Sequence, residues 1–237
     1  MTQFTGEIID IKDETPDVKT FRLTPNEKID FIPGQYCLVS IPNNEELKGE
    51  SRPLTFSSSP TNEFVELTVK KMGLFTSALF ELKPNDKLTI EGPQGKTLNF
   101  NEEVKEDIVF IAGGSGITPF ISAIRYAVEK NLKNNITLFY SNKTKKDIIY
   151  KEELNNINKG NIQIINTLTK EEWDGEQGRV SKELIQKYIK NINKQLWYVC
   201  GPPPMVASIR TILEELKISK ENLRIEDWQI PGKHDKN

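Results

Sequence analysis

Histidine is almost missing from this chain and cysteine nearly so: among 237 residues there are one histidine, His234, and two cysteines, Cys37 and Cys200. The chain by itself therefore cannot build a four-thiolate iron–sulfur cluster or a structural zinc site. Histidine-based acid–base catalysis is nearly excluded too, because His234 stands among Lys233, Asp235 and Lys236 in what reads as a frayed end. An excess of one charge is also lacking. The 32 Lys and Arg nearly cancel the 34 Asp and Glu, leaving a net charge of −2, so there is no overall field to hold nucleic acid or an anionic membrane. No apolar run reaches the length a bilayer demands, and Met1-Thr2-Gln3-Phe4 lacks the basic-then-apolar start of a signal peptide. Few cysteines suit a reducing compartment. The expectation is a soluble, cytoplasmic protein with no nucleic-acid partner and no membrane insertion.

What is present is enough for a packed core and a solvated surface: 36% hydrophobic residues, 28% charged, and a length that suits two modest domains. Up to about Phe100 the chain alternates in short, β-branched segments: Gly6 to Ile11, Val18 to Leu23, Gln35 to Ile41, Phe64 to Lys71 and Lys87 to Glu91. Turn residues such as Thr15-Pro16-Asp17, Ile32-Pro33-Gly34 and Pro84-Asn85-Asp86 separate them. With one short helix over Leu74 to Leu82, this pattern predicts a small antiparallel Greek-key β-barrel over residues 1–102. After the charged stretch Asn101 to Asp107 the rhythm becomes strand then amphipathic helix, repeated to the end. Residues 103–237 are therefore expected to form an α/β domain with a doubly wound parallel sheet.

Four segments carry chemistry. The strand Ile108 to Ala112 runs into Gly113-Gly114-Ser115-Gly116-Ile117-Thr118-Pro119 and then a helix. Such a turn lets backbone N–H groups approach a phosphate, and Pro119 loses no needed donor there; a close helix–strand contact would call for the same glycines. Cys200-Gly201-Pro202-Pro203-Pro204-Met205 follows another strand, at a place where an open parallel sheet has its ligand crevice. Its other reading is a proline-stiffened helix start beside a buried cysteine. In Arg52-Pro53-Leu54-Thr55-Phe56-Ser57-Ser58 the guanidinium suits a pyrophosphate. The Thr55 hydroxyl both donates and accepts, which suits a flavin N5 in either redox state. Strand alternation puts Arg52 and Leu54 on the face opposite Pro53, Thr55 and Ser57. The last segment, Val69-Lys70-Lys71-Met72-Gly73-Leu74-Phe75-Thr76, offers an anion cradle at a helix start, or only a cap at Thr76.

Taken in order, these segments resemble the ferredoxin-NADP reductase family over nearly the whole chain. Arg52, Thr55, Ser57 and Ser58 meet its R-x-x-[ST]-x-[SA]-S motif, and Gly73 and Thr76 its glycine-led helix. Gly92-Pro93-Gln94-Gly95 meets G-P-x-G, Gly113 to Pro119 meets G-G-[ST]-G-I-[TA]-P, and Cys200, Gly201, Pro202 and Met205 meet C-G-P-x-x-M. The resemblance implies FAD rather than FMN, with NADPH or NADH as co-substrate. Arg52 would bind flavin phosphate, Leu54 would pack on the ring and Thr55 would bond at N5, while Thr118 and Cys200 flank the nicotinamide. Trp228 is the expected aromatic cover of the flavin, a gate to hydride transfer, although nine residues follow it. Ser141-Asn142-Lys143-Thr144-Lys145-Lys146-Asp147 stands where the extra phosphate of NADP would be received, and also reads as a solvated face. The activity implied is hydride transfer to flavin, then delivery of electrons to a separate acceptor such as ferredoxin or an oxygenase component. Reduction of free flavin, quinone or ferric chelates, and a non-catalytic flavin-binding regulatory protein, stand as alternatives.

Overall fold

The computed structural model describes residues 2–226, so Trp228 and His234 lie outside the described residues. Among the described residues, two six-stranded sheets make up the fold. In the first half, β1 (Thr2–Thr15), β2 (Val18–Pro25), β3 (Tyr36–Ser40), β4 (Arg52–Thr55), β5 (Val65–Lys70) and β6 (Lys87–Gln94) pair antiparallel in the order β4-β3-β6-β1-β2-β5. A lone bridge between Phe56 and Leu67 brings the end of β4 to β5 and nearly closes the sheet into a barrel. Only β1–β2 and β3–β4 neighbour each other both in sequence and in the sheet, which is Greek-key connectivity. Helix α1 (Leu74–Phe80) caps the barrel by burying Phe75 and Leu79 in its core. The sequence marks Gly92-Pro93-Gln94-Gly95 as a turn, yet β6 runs on to Gln94. Its pairing with β3 slips between Tyr36 and Leu38, and at such a bulge a proline without an N–H costs no ladder bond.

The second half contains β7 (Asp107–Gly113), α2 (Thr118–Glu129), β8 (Ile136–Asn142), α3 (Lys151–Ile157), β9 (Ile162–Leu168), β10 (Glu176–Gln177), α4 (Lys182–Tyr188), β11 (Gln195–Cys200), α5 (Pro203–Glu215) and β12 (Leu223–Ile225). Its strands are parallel in the order β10-β9-β8-β7-β11-β12. The run Ile108-Val109-Phe110-Ile111-Ala112 is apolar throughout because both faces of β7 are covered. Ile108, Phe110 and Ala112 pack with α2 and α3, while Val109 and Ile111 pack with α4 and α5. Strand order reverses between β7 and β11, and in an open parallel sheet the ligand crevice lies beyond the carboxyl ends at that point. The two-residue strand β10 was not legible in the sequence; it is held where Trp173 Nε1 donates to the Glu176 carbonyl at 2.7 Å.

Residues 95–106 link the sheets, and Leu98 and Phe100 are buried in the second domain's core. The alternation Val65-Glu66-Leu67-Thr68-Val69 reads as a strand with one face in water. The structure buries both faces of β5, with Glu66 only 5% exposed, because the polar face meets α2 and α3 rather than solvent.

Candidate functional site

At the strand-order reversal the two glycine turns abut. A Cβ on Gly201 would reach within 3.1 Å of the Gly113 nitrogen, and one on Gly113 within 2.5 Å of the Met205 sulfur. Gly113, Gly116, Gly201 and Met205 therefore make the close packing contact that was one reading of these motifs. Gly114 is different: its φ is +52°, and a Cβ there would meet nothing within 4 Å. Gly114 and Ser115 are half-exposed and present backbone to the crevice. Residues Gly114–Ile117 form one 3-10 turn leading into α2, and Thr118 Oγ1 steadies it by donating to the Ser115 carbonyl at 3.1 Å. Ile117, Pro119 and Cys200 are buried, whereas Pro202 is exposed.

Beside the turn, Gly113, Ser141 and Thr167 form one row across β7, β8 and β9. The Thr167 hydroxyl is buried without a hydrogen-bond partner, as is the Asn166 side-chain oxygen next to it. Buried polar atoms are nearly always paired, so the Thr167 hydroxyl at the carboxyl end of β9 fits a site that a polar ligand completes, while Asn166 lies on the opposite face of the strand. Asn142 is buried, and its carbonyl accepts the Thr169 N–H at 3.0 Å. In the segment that follows, Thr144 N and Oγ1 both donate to Asp147 at 2.8 Å, and Lys145 N donates to Glu171 at 2.7 Å.

On the barrel, β4 ends the sheet and all four of its residues, Arg52, Pro53, Leu54 and Thr55, are half-buried. Arg52 pairs with Glu50 at 2.6 Å and lies 5.2 Å over the Phe75 ring. Leu54 packs against the barrel core. Ser57 is fully buried and its hydroxyl bonds Thr68 at 3.0 Å; Val69 is also in the core, and Lys70 pairs with Asp17 at 3.0 Å. Gly73 has φ +93° with open space around it, and Leu74 beside it is exposed. Thr76 accepts the Met72 N–H at 2.6 Å and donates to the Gly73 carbonyl at 3.2 Å, so its hydroxyl caps the turn, the second of its two readings. A guanidinium at a half-exposed strand end and an open glycine turn fit a flavin nucleotide's phosphates.

One matching family model, described as an oxidoreductase FAD-binding domain, covers residues 5–98, and a second, an oxidoreductase NAD-binding domain, covers residues 110–211. The chain is also 32% identical over 226 residues to NADH-cytochrome b5 reductase 2 of Debaryomyces hansenii, covering 87% of this chain and 75% of that one. The chain belongs to the ferredoxin-NADP reductase family. It carries that family's FAD-binding and NAD-binding domains, so its cofactor is FAD and its second domain is of the kind that binds a pyridine nucleotide. Among solved structures, the ferredoxin NADP+ reductase from Neisseria gonorrhoeae with bound FAD and NADP superimposes with a TM-score of 0.83 at 18% identity, over 95% of this chain and 98% of that one. This likeness shows the fold. One component of the Na+-translocating NADH-quinone reductase of Actinobacillus succinogenes is 31% identical over 166 residues, 66% of this chain, but the chain spans only 40% of that component's length.

Two supports of the candidate site went unread in the sequence. Tyr140 donates from its hydroxyl to the Gly114 carbonyl at 3.0 Å, holding the exposed glycine turn from below, and burial pushes this phenol's pKa far up. Arg125, midway along α2, reaches the carbonyl of Ser57 at 2.7 Å. Tyr140 lies in the apolar stretch Leu138-Phe139-Tyr140 of β8, and only its contact reveals the hydroxyl's work. No helix among the described residues is long and apolar enough to cross a membrane, and no group of three metal-ligating side chains gathers among them.

Proposed function

We propose that the chain is an NAD(P)H-dependent flavoprotein reductase that passes electrons to a separate redox acceptor. The observation that carries this reading is the meeting of the two motifs: the Gly114–Ile117 turn lies against β5, the strand to which Phe56, next to Thr55, is bridged. FAD, when bound, supplies the hydride acceptor and the ability to release electrons one at a time. The protein's own part is positioning. Arg52 grips the flavin phosphates in place of Glu50, with Gly73 presenting open backbone beside it. Leu54 and Pro53 support the ring, and Thr55 offers N5 a hydroxyl that donates or accepts. Gly114 and Ser115 receive the pyridine nucleotide's phosphates, while Thr118 and Cys200 flank the nicotinamide. Trp228, outside the described residues, is the proposed aromatic cover; Trp228→Ala should raise the rate of flavin reduction or the nicotinamide affinity, and a variant equal to the parent in both removes it from the site. Cys37 and Cys200 are both buried and neither is in a disulfide, which suits a reducing cytoplasm.

Anaerobic titration tests the reading. Protein loaded with FAD should lose its visible flavin absorbance on addition of NADH or NADPH; absorbance that both leave unchanged makes the chain a binding module. The acceptor is proposed to be a small redox protein, as the name of the D. hansenii relative describes for that protein. A quinone is the second reading, on the name of the A. succinogenes relative. Parallel turnover with ferredoxin, a b-type cytochrome and a soluble quinone separates the two.

A further inference from the structure

Helix α2 carries a polar stripe where a domain seam would ordinarily be apolar. Thr118, Ser122, Arg125 and Glu129 recur at helical spacing and so share one face. Three of them take hold of the end of the flavin motif and the turn after it. Ser122 Oγ donates to the Ser58 carbonyl at 2.6 Å, with both residues wholly buried. Arg125 Nη1 donates to the Ser57 carbonyl at 2.7 Å and to Glu66 at 2.6 Å, and Glu129 accepts from the Thr61 hydroxyl. The fourth residue, Thr118, stands at the end of the glycine turn.

The arrangement is complete in charge. Arg125 forks onto both oxygens of Glu153 on α3, at 2.7 Å each. Glu66 accepts Arg125 on one oxygen and Arg22 on the other, so two arginines and two carboxylates balance. Tyr150, beneath the guanidinium at 5.1 Å, donates to Thr68, which also bonds Ser57. Apolar side chains of the right volume would hold two domains together, but they would permit sliding. Directional bonds from charged and hydroxyl donors onto backbone carbonyls set a single register. These carbonyls lie two and three residues past Thr55, and the helix that grips them begins at the nucleotide turn.

We propose that the Ser122–Arg125 stripe of α2 is a positioning device that fixes the separation between Thr55 and the Gly114–Thr118 turn, and with it the stacking of nicotinamide against flavin. The inference rests on the reading under Proposed function. Neither residue touches substrate or cofactor; both act through the backbone of Ser57 and Ser58.

The test compares Ser122→Ala and Arg125→Lys with the parent, and Leu213→Val as a control that loosens the far core on α5 without touching the seam. FAD-loaded proteins are mixed anaerobically with the better of NADH and NADPH. Flavin content, melting temperature, the long-wavelength charge-transfer absorbance of the stacked rings, nucleotide affinity and the limiting reduction rate are recorded. Expected for both seam variants are full FAD content, nucleotide affinity within about twofold, and loss of most of the charge-transfer absorbance. The limiting rate should drop about tenfold, the loss expected when reacting groups held at attack distance are misplaced by less than an ångström. The control should lower only the melting temperature. Arg125→Lys keeps the charge and forfeits the fork, so it remains informative where removal of the charge would unfold the chain. Seam variants that match the parent in charge-transfer absorbance and limiting rate overturn the inference, whatever their melting temperatures. A parent that neither nucleotide reduces overturns the proposed function, and this inference with it.

Discussion

Gly116 and Cys200 meet backbone to backbone: a Cβ on Gly116 would lie 2.4 Å from the Cys200 carbonyl oxygen, so the glycine turn and the end of β11 leave no room for a side chain between them. Overpacking of this kind costs about 1–3 kcal/mol, and here the neighbour is backbone, which cannot swing aside. Gly116→Ala is expected to lower the melting temperature and to abolish nicotinamide binding by forcing the two turns apart. Gly114→Ala meets no atom and costs only about 1–2 kcal/mol for its left-handed conformation. It should stay folded and lose nucleotide affinity about tenfold or more. Calorimetric melting with NADH titration measures both, and a Gly116→Ala protein that binds like the parent would show that the turns are not coupled.

Arg52 and Glu50 are each about two-fifths exposed, with side-chain accessibilities of 37% and 45%, so their ion pair adds little to stability. Arg52→Ala should therefore leave the stability of the flavin-free protein within about 0.5 kcal/mol of the parent. Its FAD content after purification should fall severalfold. Absorbance of the purified variant decides the point: normal flavin content would place the phosphate grip elsewhere.

We expect the donors after β8 to set the choice of nicotinamide. Thr144 and Lys145 already give their N–H groups to Asp147 and Glu171, so where the phosphate that distinguishes NADPH is proposed to sit those donors are taken, and two carboxylates stand among Lys143, Lys145 and Lys146. Like charges brought together at a binding surface cost affinity. We expect kcat/KM for NADH to exceed that for NADPH by about tenfold or more, and Glu171→Gln to narrow the gap chiefly through KM for NADPH. Equal steady-state constants for the two nucleotides in the parent would contradict this.

Cys37 lies wholly inside the barrel, and burial pushes its thiol well above the ordinary range. Thiol reagents attack the thiolate, so raising the solution from about pH 7 to about pH 9 accelerates labelling of an ordinary cysteine. Cys37 should resist over that range in the folded protein and react once denaturant is added. The sign for stability follows: above the ordinary thiol pKa the unfolded chain releases a proton that the folded chain keeps, so this group's contribution falls as the pH rises. Mass spectrometry of alkylated peptides reads the labelling, and prompt native reaction at Cys37 would mean that the barrel opens.

Much of the architecture was legible because its causes are local. The run Ile108 to Ala112 is too uniformly apolar to have a wet face, the prolines and glycines between short segments mark where strands stop, and motif order along the chain named the family. Element ends were less legible: β6 runs through a proline because of a bulge against β3, a pairing that no local signal announces.

The residues of the chain thus determined by themselves the two sheets, their order and the glycine turns, since propensity and periodicity act over a few neighbours. The tertiary structure alone decided which glycines pack and which stay open, and turned the polar face of β5 from water to a seam. Glu66 and Arg125 look like ordinary solvated side chains in their own segments; they are 59 residues apart and become a buried pair only when the two domains close on each other. Such a contact depends on what the fold places opposite, and that is a property of the closed chain rather than of any stretch of it.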